Sequence, residues 1–287
     1  MMSRAWVWLS QHLIPKNLSS AVVYRATRSR RAWLKRPLTR WFARTYQVDL
    51  SEAAATDLDS YATFNEFFTR ELKAGARPIA GAPGVLVAPA DGVLTEHGTI
   101  DGDRVYQAKG SVYTLGELLG ERGAAVAALE GGRYFTIYLA PHNYHRVHAP
   151  LAARLIRTRY IPGARFSVSR ATAAAIPRLF CRNERVVCWF ETDYGTMVVV
   201  LVGATMVGMT RLAFDASVHT NARRREVQRR SYALPVRAGD PLGHFEFGST
   251  IIVVCSRDWG ALDPLEVGRT VRMGERIGRL DPASGRP

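Results

Sequence analysis

The pair Gly248-Ser249 stands directly before the run Thr250–Val254, which is rich in β-branched residues. Such a run is typical of a buried strand, so the pair is expected where a strand of an inner sheet begins. Glycine has no Cβ and tolerates backbone geometries that other residues resist. The feature therefore limits the fold, because the chain must bury this strand on both faces while leaving one permissive peptide bond at its start.

The same pair is chemically unusual. The Ser249 hydroxyl can attack the carbonyl of Gly248 through a five-membered ring, which replaces the amide by an ester. Removal of the Cα proton of Ser249 then cuts the chain by β-elimination and leaves dehydroalanine. That residue hydrolyses to ammonia and a pyruvoyl group at the new end of the chain. The structural alternative for a Gly-Ser pair is a bulge or a turn at the end of a strand.

The net charge of the 287-residue chain is +14, and most of it lies near the N-terminus. Ten of the 39 Lys and Arg residues precede Asp49, the first acidic residue, and the other 29 are nearly balanced by 25 acids. Tryptophans at positions 6, 8, 33 and 41 lie among these cations. The pattern favours an amphipathic helical segment over residues 1–60 that docks on an anionic membrane surface. A helix packed on its own domain and a basic arm for nucleic acid are the alternatives.

The sequence predicts neither a membrane-spanning helix nor a signal peptide. The longest uncharged run, residues 194–210, contains three glycines and much valine, which favours buried strands. The apolar residues near Trp6 are interrupted by Gln11 and His12. Three cysteines without metal-ligand spacing are typical of a reducing compartment.

The patterns favour an α+β fold, with N-terminal amphipathic helices followed by a β-rich core of mostly antiparallel sheets. A capping box at residues 63–66 predicts a short helix. Two similar turns, at residues 237–243 and 272–278, predict paired hairpins of a barrel-sandwich type. Strands are expected at residues 85–87, 93–95, 134–139, 186–190, 197–202 and 251–254.

His142, His145 and His148 recur at intervals of three residues. On a helix they would spread over about 120°, and on a strand His145 would point away from the other two. Neither arrangement brings three ligands together as zinc sites require, so no metal is expected.

Several motifs together resemble those of the phosphatidylserine decarboxylase family. Residues 247–250, Phe-Gly-Ser-Thr, are similar to its Leu-Gly-Ser-Thr self-cleavage motif, with Phe in place of Leu. Residues 89–92 match its Pro-Ala-Asp-Gly motif, and residues 144–148 match its Tyr-His-Arg-Val-His motif. Further matches lie at residues 63–70, 160–163, 166–168, 183–185 and 203–205.

The resemblance implies roles for four side chains. Asp91, His148 and Ser249 would form a self-cleaving triad, in which His148 takes the hydroxyl proton and Asp91 stabilises the imidazolium. His145 would serve decarboxylation, as a proton donor or a headgroup contact. The division between the two histidines rests on the resemblance alone.

The cut between Gly248 and Ser249 would divide a β chain, 1–248, from an α chain, 249–287. Both would form the catalytic domain, 61–287, behind the docking segment 1–60. The two chains of one precursor are therefore expected partners, and the sequence allows a homodimer without specifying one.

The implied reaction converts phosphatidylserine to phosphatidylethanolamine and carbon dioxide. A pyruvoyl group made from Ser249 would form a Schiff base with the headgroup amine, the task that pyridoxal phosphate performs elsewhere. We therefore expect this pyruvoyl group as the cofactor, without a metal and without pyridoxal phosphate. The expected partners are phosphatidylserine and an anionic membrane surface, not nucleic acid, with the protein peripheral on the cytoplasmic face of the cell membrane.

Two other functions fit parts of the sequence. One is a non-catalytic nucleic-acid-binding module with a basic N-terminal arm. The other is a Ser-His-Asp hydrolase, although Ser249 lacks the G-x-S-x-G context of a nucleophile elbow.

Overall fold

The computed structural model describes residues 16–107, 111–204, 210–218, 220, 226–246, 248–256 and 263–280. The predictions that concern Trp6, Trp8, Thr205 and Phe247 lie outside the described residues. The helices are α1 Lys16–Thr27, α2 Ala32–Thr45, α3 Phe64–Phe68, α4 Leu115–Leu119, α5 Ala124–Ala127, α6 Arg170–Ala175 and α7 Leu179–Arg182.

The strands contain every segment that the sequence predicts as a strand. They are β1 Val85–Val87, β2 Gly92–Thr99, β3 Arg104–Gln107, β4 Ser111–Thr114, β5 Arg133–Leu139, β6 Arg146–His148, β7 Ala153–Ile161, β8 Arg185–Thr192, β9 Gly195–Val202, β10 Thr210–Leu212, β11 Gln228–Val236, β12 Pro241–Phe245, β13 Ser249–Cys255, β14 Thr270–Val271 and β15 Arg276–Arg279.

An eight-stranded antiparallel sheet forms the core, in the order β11-β7-β8-β9-β13-β5-β2-β14. The strand β13 lies inside it, between β9 and β5, and all seven of its residues are buried. Ile251 and Val253 join one hydrophobic cluster, while Ile252 and Val254 join the cluster on the opposite face. The α+β class with a mostly antiparallel core is thus confirmed, and the described strands leave the sheets open and not closed into a barrel.

The two similar turns form matching contacts, but the prediction that they close hairpins is wrong, because β11 and β12, and likewise β14 and β15, belong to different sheets. Gly239 and Gly274 both adopt φ +85°, a left-handed conformation that favours glycine. The Gly239 N–H donates to the carbonyl of Ala149, and the Gly274 N–H donates to the carbonyl of Ala88, at 2.8 and 2.9 Å. The turns lead into β12 and β15, which belong to different small sheets. Together they bring the segment before Asp91 against the segment that ends β6.

Helix α3 begins at a cap that the sequence predicts. The Thr63 side chain accepts a hydrogen bond from the Glu66 N–H at 3.0 Å, and the Glu66 carboxylate accepts from the N–H of Ala62 at 2.9 Å. In a standard capping box the Glu66 carboxylate would accept from the N–H of the N-cap residue, Thr63. Here it accepts from the N–H of the preceding residue, Ala62. This cap directs the aromatic side chains of α3 inward, where they join Phe42 and Tyr61 in a third hydrophobic cluster.

Helix α2 has a buried face and an exposed face. Lys35, Thr39 and Phe42 are buried, and the Lys35 ammonium donates to the carbonyl of Tyr61 at 2.6 Å. Trp33 and Trp41 remain 69% and 56% exposed. At 100° per residue, these tryptophans lie on the side of the helix opposite the buried residues. None of the helices in the described ranges is both long and apolar enough to cross a bilayer.

Candidate active site

Ser249 is the first residue of β13 and is fully buried. Its register partner is Leu139, the last residue of β5. The Ser249 hydroxyl has no hydrogen-bond partner among the described residues. A buried polar group without a partner costs roughly 1–3 kcal/mol, so such a group in a well-packed strand needs an explanation.

Gly248 has space where a side chain would stand. Among the described residues other than its chain neighbours, a Cβ built on Gly248 would have one heavy atom within 4 Å, the carbonyl oxygen of Leu139 at 3.8 Å. The Cα of Gly248 therefore lies in an open position although Ser249 is buried. The change from an open to an enclosed position falls at the Gly248-Ser249 peptide.

Asp91 precedes β2 and is anchored on both carboxylate oxygens. It accepts hydrogen bonds from the Arg77 guanidinium at 3.0 and 2.5 Å and from the Met273 N–H at 2.8 Å. The Asp91 carboxylate raises the pKa of Arg77 above its ordinary value. A second carboxylate, Glu52, binds the same guanidinium at 2.8 Å. Asp91 is therefore fixed by Arg77 and by the backbone of Met273, and Glu52 in turn holds Arg77.

His148 ends β6 and lies in a hydrogen-bond chain that assigns its tautomer. Its Nδ1 lies 2.8 Å from the carbonyl oxygen of Gly239, which can only accept, so Nδ1 carries the proton. Its Nε2 then accepts from the Tyr144 hydroxyl at 3.0 Å. Burial lowers the pKa of His148, and the Gly239 carbonyl and the charge of Asp91 oppose this effect in part. The Nε2 atom of His148 is therefore the unprotonated, basic nitrogen of the ring, and it accepts a hydrogen bond from Tyr144.

These three residues lie at one end of the sheet. Ser249 pairs with Leu139 on β5, and Val93 of β2 pairs with Tyr138 on the other side of β5. Asp91 and Ser249 thus flank the end of β5 at about two strand spacings, or roughly 10 Å. The N–H of His148 donates to the carbonyl of Pro89, two residues before Asp91, at 2.8 Å. The fold brings the three residues of the predicted triad near one another. In the described part of the chain, however, the His148 ring is hydrogen-bonded to Gly239 and Tyr144 and not to Asp91 or Ser249.

His145 lies between α3 and the segment that leads to Gly248. Its ring is fully buried and stacks on Phe68, with the ring centroids 4.2 Å apart and the planes inclined by 24°. Neither ring nitrogen has a hydrogen-bond partner of normal geometry among the described residues. Its carbonyl accepts from the N–H of Phe245 at 3.0 Å. The backbone carbonyls of Pro141 and Ala140 lie close enough to the ring to favour its protonated form. His145 is therefore held by its backbone, its ring face and these two carbonyls.

Burial, together with the positive charge of Arg70, lowers the pKa of His145 to about 3. The Arg70 guanidinium donates to the carbonyls of His142 and Asn143 at 3.0 and 3.4 Å. Arg70 thus fixes the loop that carries His145 and favours the neutral imidazole. The sequence predicts a helix cap at residues 63–66 and residues 63–70 match the family, but neither pattern indicates that Arg70 lies near the histidines.

Two cavities of about 200 Å³ each adjoin this end of the sheet. One lies beside Asp91 and Tyr144. The other is a cleft lined by Thr250 and Tyr138, with Arg170 and Glu96 as its charged residues. Thr250 and Tyr138 are a register pair, so they share one face of the sheet, whereas Ser249 and Leu139 share the other. The cleft therefore lies next to Ser249 but on the opposite face.

The three histidines do not form a metal site. His142 lines the first cavity, His145 is enclosed against Phe68, and His148 is bonded to Gly239 and Tyr144. Within the described ranges, no group of three His, Cys, Asp or Glu side chains could hold a metal ion.

We expect acid to destabilise the fold through its buried histidines. Because the folded pKa of His145 is about 3 and its ordinary value is 6.5, the unfolded chain binds the proton first as the pH falls. The stabilisation by neutral His145 is complete above pH 6.5 and is lost as the pH falls toward 3. His244, whose pKa burial lowers to about 4, acts in the same direction.

Melting temperatures measured between about pH 7 and about pH 4.5 test this point. The variant His145→Gln should lose less stability over that range than the wild type, and His145→Gln with His244→Gln should lose less again. Parallel losses in all three proteins would show that these histidines are not the acid-sensitive groups.

Comparisons with known proteins identify the family of the chain. A family model described as phosphatidylserine decarboxylase matches residues 64–279, and a second one, described as PSD, matches residues 7–47. A phosphatidylserine decarboxylase proenzyme of Ectopseudomonas mendocina (strain ymp) is 44% identical over 279 residues, which cover 94% of this chain and 96% of the relative. The proenzyme of Pseudomonas aeruginosa (strain LESB58) is 46% identical over 271 residues, covering 93% and 94%. That of Pseudomonas putida (strain GB-1) is 43% identical over 284 residues, covering 96% and 98%. The chain belongs to the phosphatidylserine decarboxylase family.

Proposed function

We propose that the protein decarboxylates phosphatidylserine to phosphatidylethanolamine, using a pyruvoyl group that it makes from its own Ser249. The observation that carries this proposal is the placement of the pair Gly248-Ser249. A buried hydroxyl without a hydrogen-bond partner among the described residues directly follows a glycine that is open at the position of a side chain. The relatives support it, since they are named as proenzymes, a term for precursors that are processed.

Self-cleavage begins with the Ser249 hydroxyl. As its oxygen bonds to the carbonyl carbon of Gly248, the proton passes to Nε2 of His148, the basic nitrogen of the assigned tautomer. The C–N bond then breaks, and the departing nitrogen takes up a proton, which leaves an ester. His148 must first release the Tyr144 hydroxyl, which occupies Nε2 in the uncut chain. The negative charge of Asp91 favours the protonated ring, in agreement with its effect on the His148 pKa.

The pyruvoyl group supplies an electron-accepting carbonyl for the loss of carbon dioxide from a substrate with an amine and a carboxylate. The residues present fit such a group. Once Gly248 is cut away, residue 249 is a chain end that is free to turn from the Leu139 face toward the cleft beside Thr250. Arg170 offers the cleft a cation for a phosphate or carboxylate of the headgroup. His145, which is attached by its backbone to the segment before the cut, is the proposed proton donor to the carbon that loses carbon dioxide.

The two pieces stay together after the cut. The α chain, 249–287, contributes β13 to the interior of the large sheet, where it pairs with both β9 and β5. It also contributes β15, which pairs with β1, and the Met273 N–H that binds Asp91. Strand pairing on both sides of β13 therefore retains residue 249 beside the side chains of the β chain.

The exposed face of α2 is proposed to dock on an anionic membrane, with the protein peripheral on the cytoplasmic side. Trp33 and Trp41 provide amphipathic rings, and the same side of the helix carries Arg36, Arg40 and Arg44. Each basic side chain near such a surface contributes about 1 kcal/mol. The buried face of α2 meets the aromatic cluster around α3, so the docked helix stays attached to the catalytic domain.

We expect the double variant Trp33→Ala with Trp41→Ala to bind anionic vesicles about ten-fold more weakly or worse, because the two rings supply the apolar part of the contact. Sedimentation with vesicles that contain phosphatidylserine measures this change. The matched control is Val112→Ala with Val227→Ala, which removes exposed apolar groups away from α2 and from the proposed headgroup cleft. If the tryptophan variant and the wild type sedimented equally with the vesicles, α2 would not be the docking surface.

The proposed function is tested with purified protein and phosphatidylserine vesicles. Denaturing electrophoresis should show two pieces, residues 1–248 and 249–287, and the sample should release carbon dioxide and form phosphatidylethanolamine. A single intact band from protein that forms phosphatidylethanolamine would exclude the self-cleavage route. Two pieces without any turnover would exclude the reaction while leaving the cut.

A further inference from the structure

A buried carboxylate lies two residues before the proposed cut. The side chain of Glu246 is only 2% exposed, and two arginines from different elements meet it. Arg211 of β10 binds it at 3.0 Å through Nε, and Arg28, the residue after α1, forms an ion pair with its other oxygen. Burial of a carboxylate is unfavourable unless it is paired, and removal of one partner leaves the remaining charges unpaired. Held by two arginines, the Glu246 carboxylate therefore has a role in fixing this stretch of the chain.

That role follows from what surrounds Glu246 along the chain. On one side, Phe245 is fully buried and its N–H donates to the carbonyl of His145 at 3.0 Å. On the other side, Ser249 is locked into the large sheet by its pairing with Leu139. The backbone from Glu246 to Gly248 must bridge these two fixed points. A hold on Glu246, two residues before Gly248, limits how far the chain that follows it can move.

We propose that Glu246 is a positioning residue for self-cleavage. Arg28 and Arg211 hold its carboxylate from two directions, and this clamp keeps the Gly248 carbonyl within reach of the Ser249 hydroxyl. The proposal rests on the proposed self-cleavage at Gly248-Ser249 and adds residues to that step. Because one arm of the clamp follows α1, the N-terminal helical segment also takes part in maturation, in addition to any contact with a membrane.

The test is the rate at which newly made full-length chain is cut, followed by denaturing electrophoresis. Glu246→Gln keeps the shape of the side chain and removes its charge, and we expect it to slow the cut by about ten-fold or more, since small misplacements of reacting groups have effects of this size or larger. Arg28→Gln should slow the cut in the same direction. Glu246→Arg combined with Arg211→Glu rebuilds one ion pair in reverse and should cut faster than Glu246→Arg alone.

A matched control is available in Glu121, a carboxylate that is also held by two arginines, Arg157 and Arg159. Glu121→Gln should be cut at the wild-type rate. A second readout separates positioning from general damage to the fold: the fraction of Glu246→Gln that does become cut should decarboxylate phosphatidylserine with the wild-type kcat per cut molecule.

The outcomes are distinct. A wild-type chain that is never cut overturns both this inference and the proposed self-cleavage. A wild-type chain that is cut, together with Glu246→Gln that is cut equally fast, overturns the clamp alone. Slowing of equal size in Glu121→Gln, or a lowered kcat in cut Glu246→Gln, would show that lost charge pairs weaken the whole fold and would also overturn it. If Arg28→Gln were cut at the wild-type rate, Arg28 and the N-terminal helical segment would have no part in the clamp.

Discussion

Replacing Ser249 by alanine is expected to leave one uncut chain and to abolish the formation of phosphatidylethanolamine. The substitution removes only a hydroxyl that has no hydrogen-bond partner among the described residues. It therefore breaks no hydrogen bond, and the folded state should be as stable as the wild type or slightly more stable. Electrophoresis, a lipid-product assay and a melting curve on the same preparation measure all three effects.

A serine near the far end of the same strand provides the control. Ser256 is also buried, and its hydroxyl accepts a hydrogen bond from the Thr196 N–H at 3.1 Å. Ser256→Ala should lose some stability but should still be cut and should still turn over. If Ser249→Ala were cut, or if uncut Ser249→Ala formed phosphatidylethanolamine, the serine would not be the source of the reactive group.

The two buried histidines should separate the two reactions. We expect His148→Gln to remain uncut, because no basic nitrogen takes the Ser249 proton. We expect His145→Gln to be cut normally and to decarboxylate about 10²- to 10⁴-fold more slowly, the range typical of a lost general acid or base. The fraction cut and the turnover per cut molecule are measured separately.

The geometry motivates this division of roles. His148 lies on the Asp91 side, with Nε2 as its basic nitrogen, whereas His145 is neutral, stacked on Phe68, and attached by its backbone to the segment before the cut. Uncut His145→Gln together with normally cut His148→Gln would reverse the assignment. Similar defects in both reactions for both variants would mean that the histidines act only by shaping the site.

Local sequence patterns predicted the class of the fold because each pattern has a local physical cause. The β-branched run after Ser249 has no polar face, so it could only form an inner strand, and β13 lies between β9 and β5. The two glycine turns needed the same left-handed conformation, and both adopt it. The order of strands in the sheet was not predictable, because strand pairing depends on contacts between residues far apart in the chain.

The candidate site was predictable in its members but not in its contacts. Motif resemblance singled out Asp91, His148 and Ser249, and the fold brings them to one end of the sheet. The partners that hold them come from elsewhere: Arg77 on Asp91, Tyr144 on His148, and Arg28 near the cut. Pairing of a particular arginine with a particular carboxylate depends on the tertiary fold, and a chain with 39 basic residues offers many combinations.

Two sequence hypotheses for the N-terminal segment concern different faces of helix α2. Packing on its own domain and docking on a membrane were alternatives for the tryptophan- and arginine-rich residues. Helix α2 does pack, through Phe42 and its neighbours, and it also exposes Trp33 and Trp41. The boundary between a docking segment 1–60 and a catalytic domain 61–287 stays a prediction, which the vesicle experiment addresses.

The intact masses of the two pieces from a turnover-competent sample test the account most directly. The account predicts a large piece that ends in Gly248 with an ordinary carboxyl group. It also predicts a small piece, beginning at position 249, that is lighter by one ammonia molecule than the same segment with a seryl N-terminus. A small piece with the full seryl mass, or an active chain with the mass of the uncut sequence, would contradict it.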